Sequence, residues 1–126
     1  MTTQVPRAGL GDDAREQLLV FRIYDPSNRD ETLLLSLPWD GTILYANWTM
    51  DAGSFDFSLD VEGTDVSWTT AAGTTLGAST TPTQDTGASD NTFSAGDTMT
   101  IEIGTVTGTP NYLLLEVFVR LDEEDA

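Results

Sequence analysis

The side chains of this chain that could do chemistry are carboxylates. Its 126 residues contain no histidine, cysteine or lysine, and 21 Asp and Glu stand against five basic side chains, all arginine. No imidazole base, thiolate nucleophile, Schiff-base amine or phosphate-loop lysine can be built from that inventory. A carboxylate-only set can offer paired acid and base groups, as in glycoside hydrolysis, or hard oxygen ligands for calcium. In "SFDFSLDVE" (54–62), Asp56 and Asp60 project from the same side of an alternating run. At roughly 3.3 Å per residue they stand about 13 Å apart, beyond the roughly 5–9.5 Å over which glycosidase carboxylates cooperate. A pair drawn from different strands stays open, but in so acidic a chain some pair lies close by chance. An enzyme is the last-ranked expectation.

Calcium is the more serious option. "DVEGTD" places Asp60, Glu62 and Asp65 around Gly63, the right ligand type but without the 12-residue spacing of an EF-hand. "QDTGASDN" offers Asp85, Asp90 and Asn91 in a second loop. The plainer reading of both is turn acids in an acidic protein, so the cofactor expectation is none, with calcium at Asp60, Glu62 and Asp65 as the one candidate. Trp39, Trp48 and Trp68 would stack on a sugar if they lined one exposed face. Trp48, however, shares the inward parity of Leu44 and Met50, which places it in the core. Asn47-Trp48-Thr49 matches a glycosylation sequon, on the outward side of a predicted strand.

The net charge is −16. Nucleic acid is not an expected partner, because phosphate contacts need clustered Lys and Arg. Such self-repulsion is tolerated best at high salt, where the Debye length shrinks to about 3 Å at 1 M. The composition fits a halophilic source, and equally an acidic protein from a GC-rich genome that favours Arg over Lys. No secretory signal or membrane-spanning apolar run is legible, so a soluble protein is expected.

The elements that must position these residues read as strands. Residues 1–16 are expected to form a flexible arm, 17–121 a single β-domain, and 122–126 an acidic tail. "QLLVFRIY" (17–24) ends at the turn signal "DPSN", and "ETLLLSLP" (31–38) places Leu33, Leu35 and Leu37 on one side. In "GTILYANWTM" the even positions Leu44, Ala46, Trp48 and Met50 form the apolar face. In the next run Phe55, Phe57, Leu59 and Val61 face inward, and Asp56, Asp60 and Glu62 face out. "DVSWTT" (65–70) reads as one short strand. Residues 69–92 are rich in Thr, Ala, Gly and Ser, an exposed loop or a site of weak strands, with an edge strand expected near Thr74–Ser79. Met99, Ile101 and Ile103 then point inward, as do Leu113, Leu115, Val117, Val119 and Leu121. Seven to eight antiparallel strands with one buried face and no helical pattern predict a jelly-roll-like or immunoglobulin-like β-sandwich.

The outward face of the last strand carries Leu114, Glu116, Phe118 and Arg120. Leu114 and Phe118 are too apolar for an ordinary solvated face. They suit a subunit interface across which Arg120 and Glu116 could pair.

From Gly41 to Leu121 the sequence resembles a β-sandwich domain recurrent in virion proteins of tailed bacterial and archaeal viruses. The residues that carry the likeness are Gly41, Thr42, Ile43 and Trp48 in one strand, and Phe57, Leu59, Val61, Gly63, Thr64 and Val66 across the next turn. Ala95, Gly96 and Asp97, followed by Met99, Ile101 and Val106, complete it. Glu62-Gly63 stands where the pattern usually has Asn-Gly. The resemblance implies a virion surface role as capsid decoration, turret or fibre or tail-associated protein. It also implies a homo-oligomer, trimer or pentamer, contacting other virion proteins such as the major capsid protein, and host cytoplasm as the place of assembly. The second functional expectation is a carbohydrate- or receptor-binding module that touches a host glycan through loops such as 69–92.

Overall fold

The computed structural model describes residues 16–27 and 31–122, without the side chains of 33–35. The arm expected over 1–16 and the tail over 122–126 therefore lie almost wholly outside the described residues. Eleven strand segments follow in order among these residues. They are β1 (Glu16–Tyr24), β2 (Glu31–Ser36), β3 (Gly41–Met50), β4 (Ser54–Val61), β5 (Thr64–Asp65) and β6 (Ser67–Trp68). After them come β7 (Leu76–Ala78), β8 (Thr83–Ser89), β9 (Thr92–Phe93), β10 (Thr98–Thr107) and β11 (Tyr112–Leu121).

The strands pair antiparallel throughout, in two sheets. One runs β1-β11-β3-β8-β6, with β9 also on β3; the other runs β2-β10-β4-β5, with β7 also on β4. Without the two-residue segments β5, β6 and β9, eight strands remain, ordered 1-11-3-8 and 2-10-4-7. That is the double Greek key of a jelly roll. The expected sandwich is present, and its eight main strands match the upper end of the expected count.

The alternation in the sequence is what closes the two sheets on each other. Phe55, Phe57, Leu59 and Val61 of β4 and Met99, Ile101 and Ile103 of β10 face Ala46, Trp48 and Met50 of β3 and the odd residues 113–121 of β11, all buried. Trp48 sits edge-on to Phe57 at 5.5 Å and to Trp68 at 6.4 Å, the arrangement favoured by aromatic quadrupoles. Its indole N–H donates to the Gly77 carbonyl at 2.8 Å. The Trp68 indole nitrogen is buried with no acceptor among the described residues.

Two expectations need correction. Leu44 is not an inward residue: Phe118 pairs with Tyr45 and Val119 with Ile43, so Leu44 is the extra residue of a β-bulge. The bulge resets the parity, and Ile43 rather than Leu44 is fully buried. Asn91 supports it by donating its Nδ2 to the Ile43 carbonyl and accepting the Ile43 N–H through its backbone carbonyl. Second, "DVSWTT" is two segments in different sheets: Thr64–Asp65 pairs with β4, Ser67–Trp68 pairs with β8, and buried Val66 marks the crossing. The stretch 69–92 holds weak strands as expected, the edge strand at Leu76–Ala78 and then β8, with β9 beginning at Thr92. Strand β8 (TQDTGAS) has almost no apolar residues because its one fully buried side chain is Asp85. For β2, Leu37 is buried as expected, and the side chains of Leu33 and Leu35 lie outside those described.

Candidate functional site

The site that the fold builds most distinctly is the outer face of the β1-β11-β3 sheet. On β11, Leu114, Glu116 and Phe118 are half-buried and Arg120 is exposed, alternating with the core residues. Strand β1 lies beside them in unbroken register, Leu18 opposite Phe118, Val20 opposite Glu116, and Arg22 opposite Leu114. On the other flank Tyr45 lies opposite Phe118, Asn47 opposite Glu116, and Thr49 opposite Leu114. The bulge at Leu44 is what turns Tyr45 outward onto Phe118, where the rings stack at 4.3 Å between centroids.

Leu18, Val20 and Tyr24 are 44%, 54% and 67% exposed, and they account for three of the four exposed large apolar side chains among the described residues. Together with Phe118, Tyr45 and Leu114 they form one apolar stripe. Its charges are balanced rather than acidic. Arg120 donates to Glu16 at 2.8 Å in its own chain, and Arg22 lies 4.5 Å above the Tyr112 ring. Two of the chain's five arginines are thus spent on this face. The expected Arg120–Glu116 pairing across an interface meets a competitor here, since Glu16 already engages Arg120. A cleft of about 90 Å³ opens beside Leu114 and Glu116 toward Pro82.

The calcium candidates are distributed differently from their order in sequence. Asp60 and Asp65 face each other across the β4–β5 hairpin, whose tight turn is Glu62-Gly63 with both φ angles positive, 52° and 83°. Glu62 turns away, accepting the Thr98 N–H at 2.7 Å. No group of three acids able to hold a metal forms among the described residues. Burial pushes the Asp60 carboxyl above its ordinary value, Asp65 and then Glu31 add repulsion, and the Gly63 N–H and Thr100 hydroxyl partly offset this.

Asp85 is 5% exposed and accepts the backbone N–H groups of Thr70, Ala71 and Thr86, each at 2.8 Å. Burial alone would raise its carboxyl, but these donors outweigh it and hold the group below the usual range. The same use of acids recurs at the loop ends. Asp51 accepts from Asn111 and Tyr112, Asp40 from Ala95, and Asp97 from Ser94. These carboxylates serve as acceptors for backbone N–H groups that the sheets leave unpaired. Sequence reasoning missed that role; a glycine within two residues of each of these acids (Gly41, Gly53, Gly87 and Gly96) was the available signal.

A common tryptophan platform does not form, because Trp48 and Trp68 are 3% and 1% exposed. Trp39, in the turn before β3, is 37% exposed. Along the outside of β4 and β7 runs a separate groove of about 470 Å³, lined by Ser54, Asp56, Ser79, Thr105 and Thr107 together with neighbouring backbone.

No protein-family model and no curated sequence matches the chain. Among solved structures it is similar in fold to a chain of the acid-stable capsid of Helicobacter pylori bacteriophage KHP30. The TM-score is 0.53 at 12% identity, covering 86% of this chain and 89% of the other. A chain of the cyanophage Pam1 capsid gives 0.47 at 12%, covering 85% of each. The C-terminal CBM6 of LamC, a marine laminarinase of Zobellia galactanivorans, gives 0.45 at 13%, covering 78% and 98%.

Proposed function

We propose that this protein is a non-enzymatic structural component of a virion, a capsid decoration, turret or fibre or tail-associated protein. It acts by associating with copies of itself and docking on other virion proteins such as the major capsid protein, at the particle surface, after assembly in the host cytoplasm. The observation that carries this reading is the apolar, charge-balanced outer face of β1-β11-β3 on a chain of net charge −16. Charge repulsion keeps such a molecule apart everywhere except where the charge cancels and apolar area is left to bury. The jelly-roll likeness to a phage capsid chain supports the reading at the level of fold.

Replacing Phe118 by Asp tests it. Phe118 is only half-buried, so the monomer should lose little beyond its stacking with Tyr45, about 1 kcal/mol. Near-UV circular dichroism should remain native while assemblies larger than a dimer and bound particles disappear from gradient fractions. A Phe118→Asp protein that assembles and docks like the wild type removes the basis for the proposal.

The alternative is a carbohydrate- or receptor-binding module, and the groove on β4 and β7 is the observation that favours it. Its hydroxyls and the Asp56 carboxylate suit hydrogen bonding to sugar hydroxyls. Glycan-array binding that is lost in Asp56→Ala and retained in Phe118→Asp would select this reading over the first.

A further inference from the structure

We propose that two copies of the chain join edge to edge through β1, antiparallel about a two-fold axis at Leu19, making one continuous sheet across the pair. This rests on the reading that the protein associates with itself, and it specifies where and in what register.

Strand β1 is the outermost strand of its sheet, and among the described residues only β11 pairs with it. It is nine residues long and its register with β11 contains no bulge. The other sheet ends are shorter: β2 has six residues, β7 three, and β5 and β6 two each. Soluble proteins protect a long edge strand with lysine, proline, a bulge or inward charge. The sequence EQLLVFRIY has none of these. Its outward residues Leu18 and Val20 are exposed, and its inward residues Leu19 and Phe21 are only partly covered by the core. Among the described residues nothing pairs with that edge, which presents its backbone groups with apolar side chains on both faces of the sheet.

The choice of a second copy as occupant comes from charge. Glu16 and Arg22 are the only charged residues of β1. Antiparallel self-pairing centred on Leu19 sets Glu16, which also accepts from Arg120 of its own chain, against Arg22 of the second copy, and Arg22, stacked over Tyr112, against its Glu16. The same register sets Leu18 against Val20 on the outer face, both in both directions, and Gln17 against Phe21 on the inner face. Leu19 meets Leu19 on the axis. Opposite charges and apolar pairs directly across a ladder both stabilise it. Shifting the register by two residues in either direction breaks both ion pairs. Elsewhere the protein is strongly acidic, so this neutral edge is also where two copies repel least.

The absence of cysteine makes the test clean. Leu19→Cys should oxidise to a disulfide-linked dimer under native conditions and not in denaturant, because directly paired strand residues lie within about 4.5–5.5 Å between Cα atoms. Leu18→Cys and Val20→Cys should cross-link poorly alone, their Cα atoms lying beyond about 7 Å from their own copies, and readily when mixed. By light scattering at low ionic strength, Arg22→Glu should weaken the dimer by about tenfold or more. Adding Glu16→Arg to Arg22→Glu should restore affinity relative to either single variant. A wild-type protein that stays monomeric at every concentration overturns the proposal, as does a dimer indifferent to Arg22→Glu or cross-linking that ignores position. Phe118→Asp separates this from the functional reading: a variant that no longer docks on particles yet retains the Leu19→Cys cross-link places the two on different surfaces. Particle docking with no Leu19→Cys cross-link leaves the function standing and removes the β1 dimer.

Discussion

Replacing Asp85 removes the acceptor that ties the turn after β6 to strand β8. Its carboxylate binds the N–H groups of Thr70 and Ala71 in the turn after β6, and that of Thr86 in its own strand. Hydrogen bonds to a charged partner are worth roughly 1.5–3 kcal/mol each. Thr70, Ala71 and Thr86 are themselves exposed, so water can take over their donors once the carboxylate is gone. Counting the two bonds between segments at the low end gives about 3 kcal/mol for Asp85→Ala. Asp85→Asn keeps one acceptor oxygen without charge and should cost about 1.5–2 kcal/mol. For a chain of this length 3 kcal/mol lowers the melting temperature by about 10 °C. The pH dependence gives the sharper readout. The folded carboxyl lies below the ordinary 3.8, so its stabilisation is fully present above that value and is lost as pH falls through the folded one. Urea melts of wild type and Asp85→Asn, in constant salt, should therefore differ at neutral pH and converge as pH falls below the folded value. A neutral-pH penalty under about 0.5 kcal/mol, or one that persists unchanged in acid, would refute the assignment.

Asp60→Asn should act in the opposite direction. The Asp60 carboxyl is raised in the fold, so its ionised form destabilises above that raised value, and the wild type recovers as pH falls through it toward the ordinary 3.8. The variant should be more stable at pH 7 by up to about 1 kcal/mol, the range for relieving like charges across a ladder. That gain should fade by about pH 4, and denaturant titration at both pH values checks it. Gly41→Ala should cost about 2–3 kcal/mol, because a Cβ there would lie 2.6 Å from both the Arg120 carbonyl oxygen and Phe93 Cζ; thermal melts measure it. Stability should also rise steeply with NaCl between roughly 0.05 and 1 M, as self-repulsion is screened. A flat salt profile would make the acidic surface a matter of solubility alone.

The sandwich was legible in the sequence, because period-two alternation over β4, β11 and residues 99–103 of β10 leaves each run an apolar side that only a second sheet can cover. The sequence also marked Leu114 and Phe118, since apolar residues at outward parity conflict with an otherwise polar exterior. Alternation could not place the bulge at Leu44, because an extra residue is defined only against the partner strand and takes its position from pairing with Phe118 and Val119. Nor could it show β8, a strand held by backbone pairing to β3 and by a buried carboxylate rather than by apolar side chains. Two acids that resembled ligands in sequence, Glu62 and Asp85, became fastenings once the distant N–H groups of Thr98 and Thr70 were brought to them. That β1 and β3 flank β11, turning two isolated apolar residues into a continuous face, emerges only when the sheets assemble. Strand order is set by which edges meet in the closed sandwich, and no local pattern encodes it.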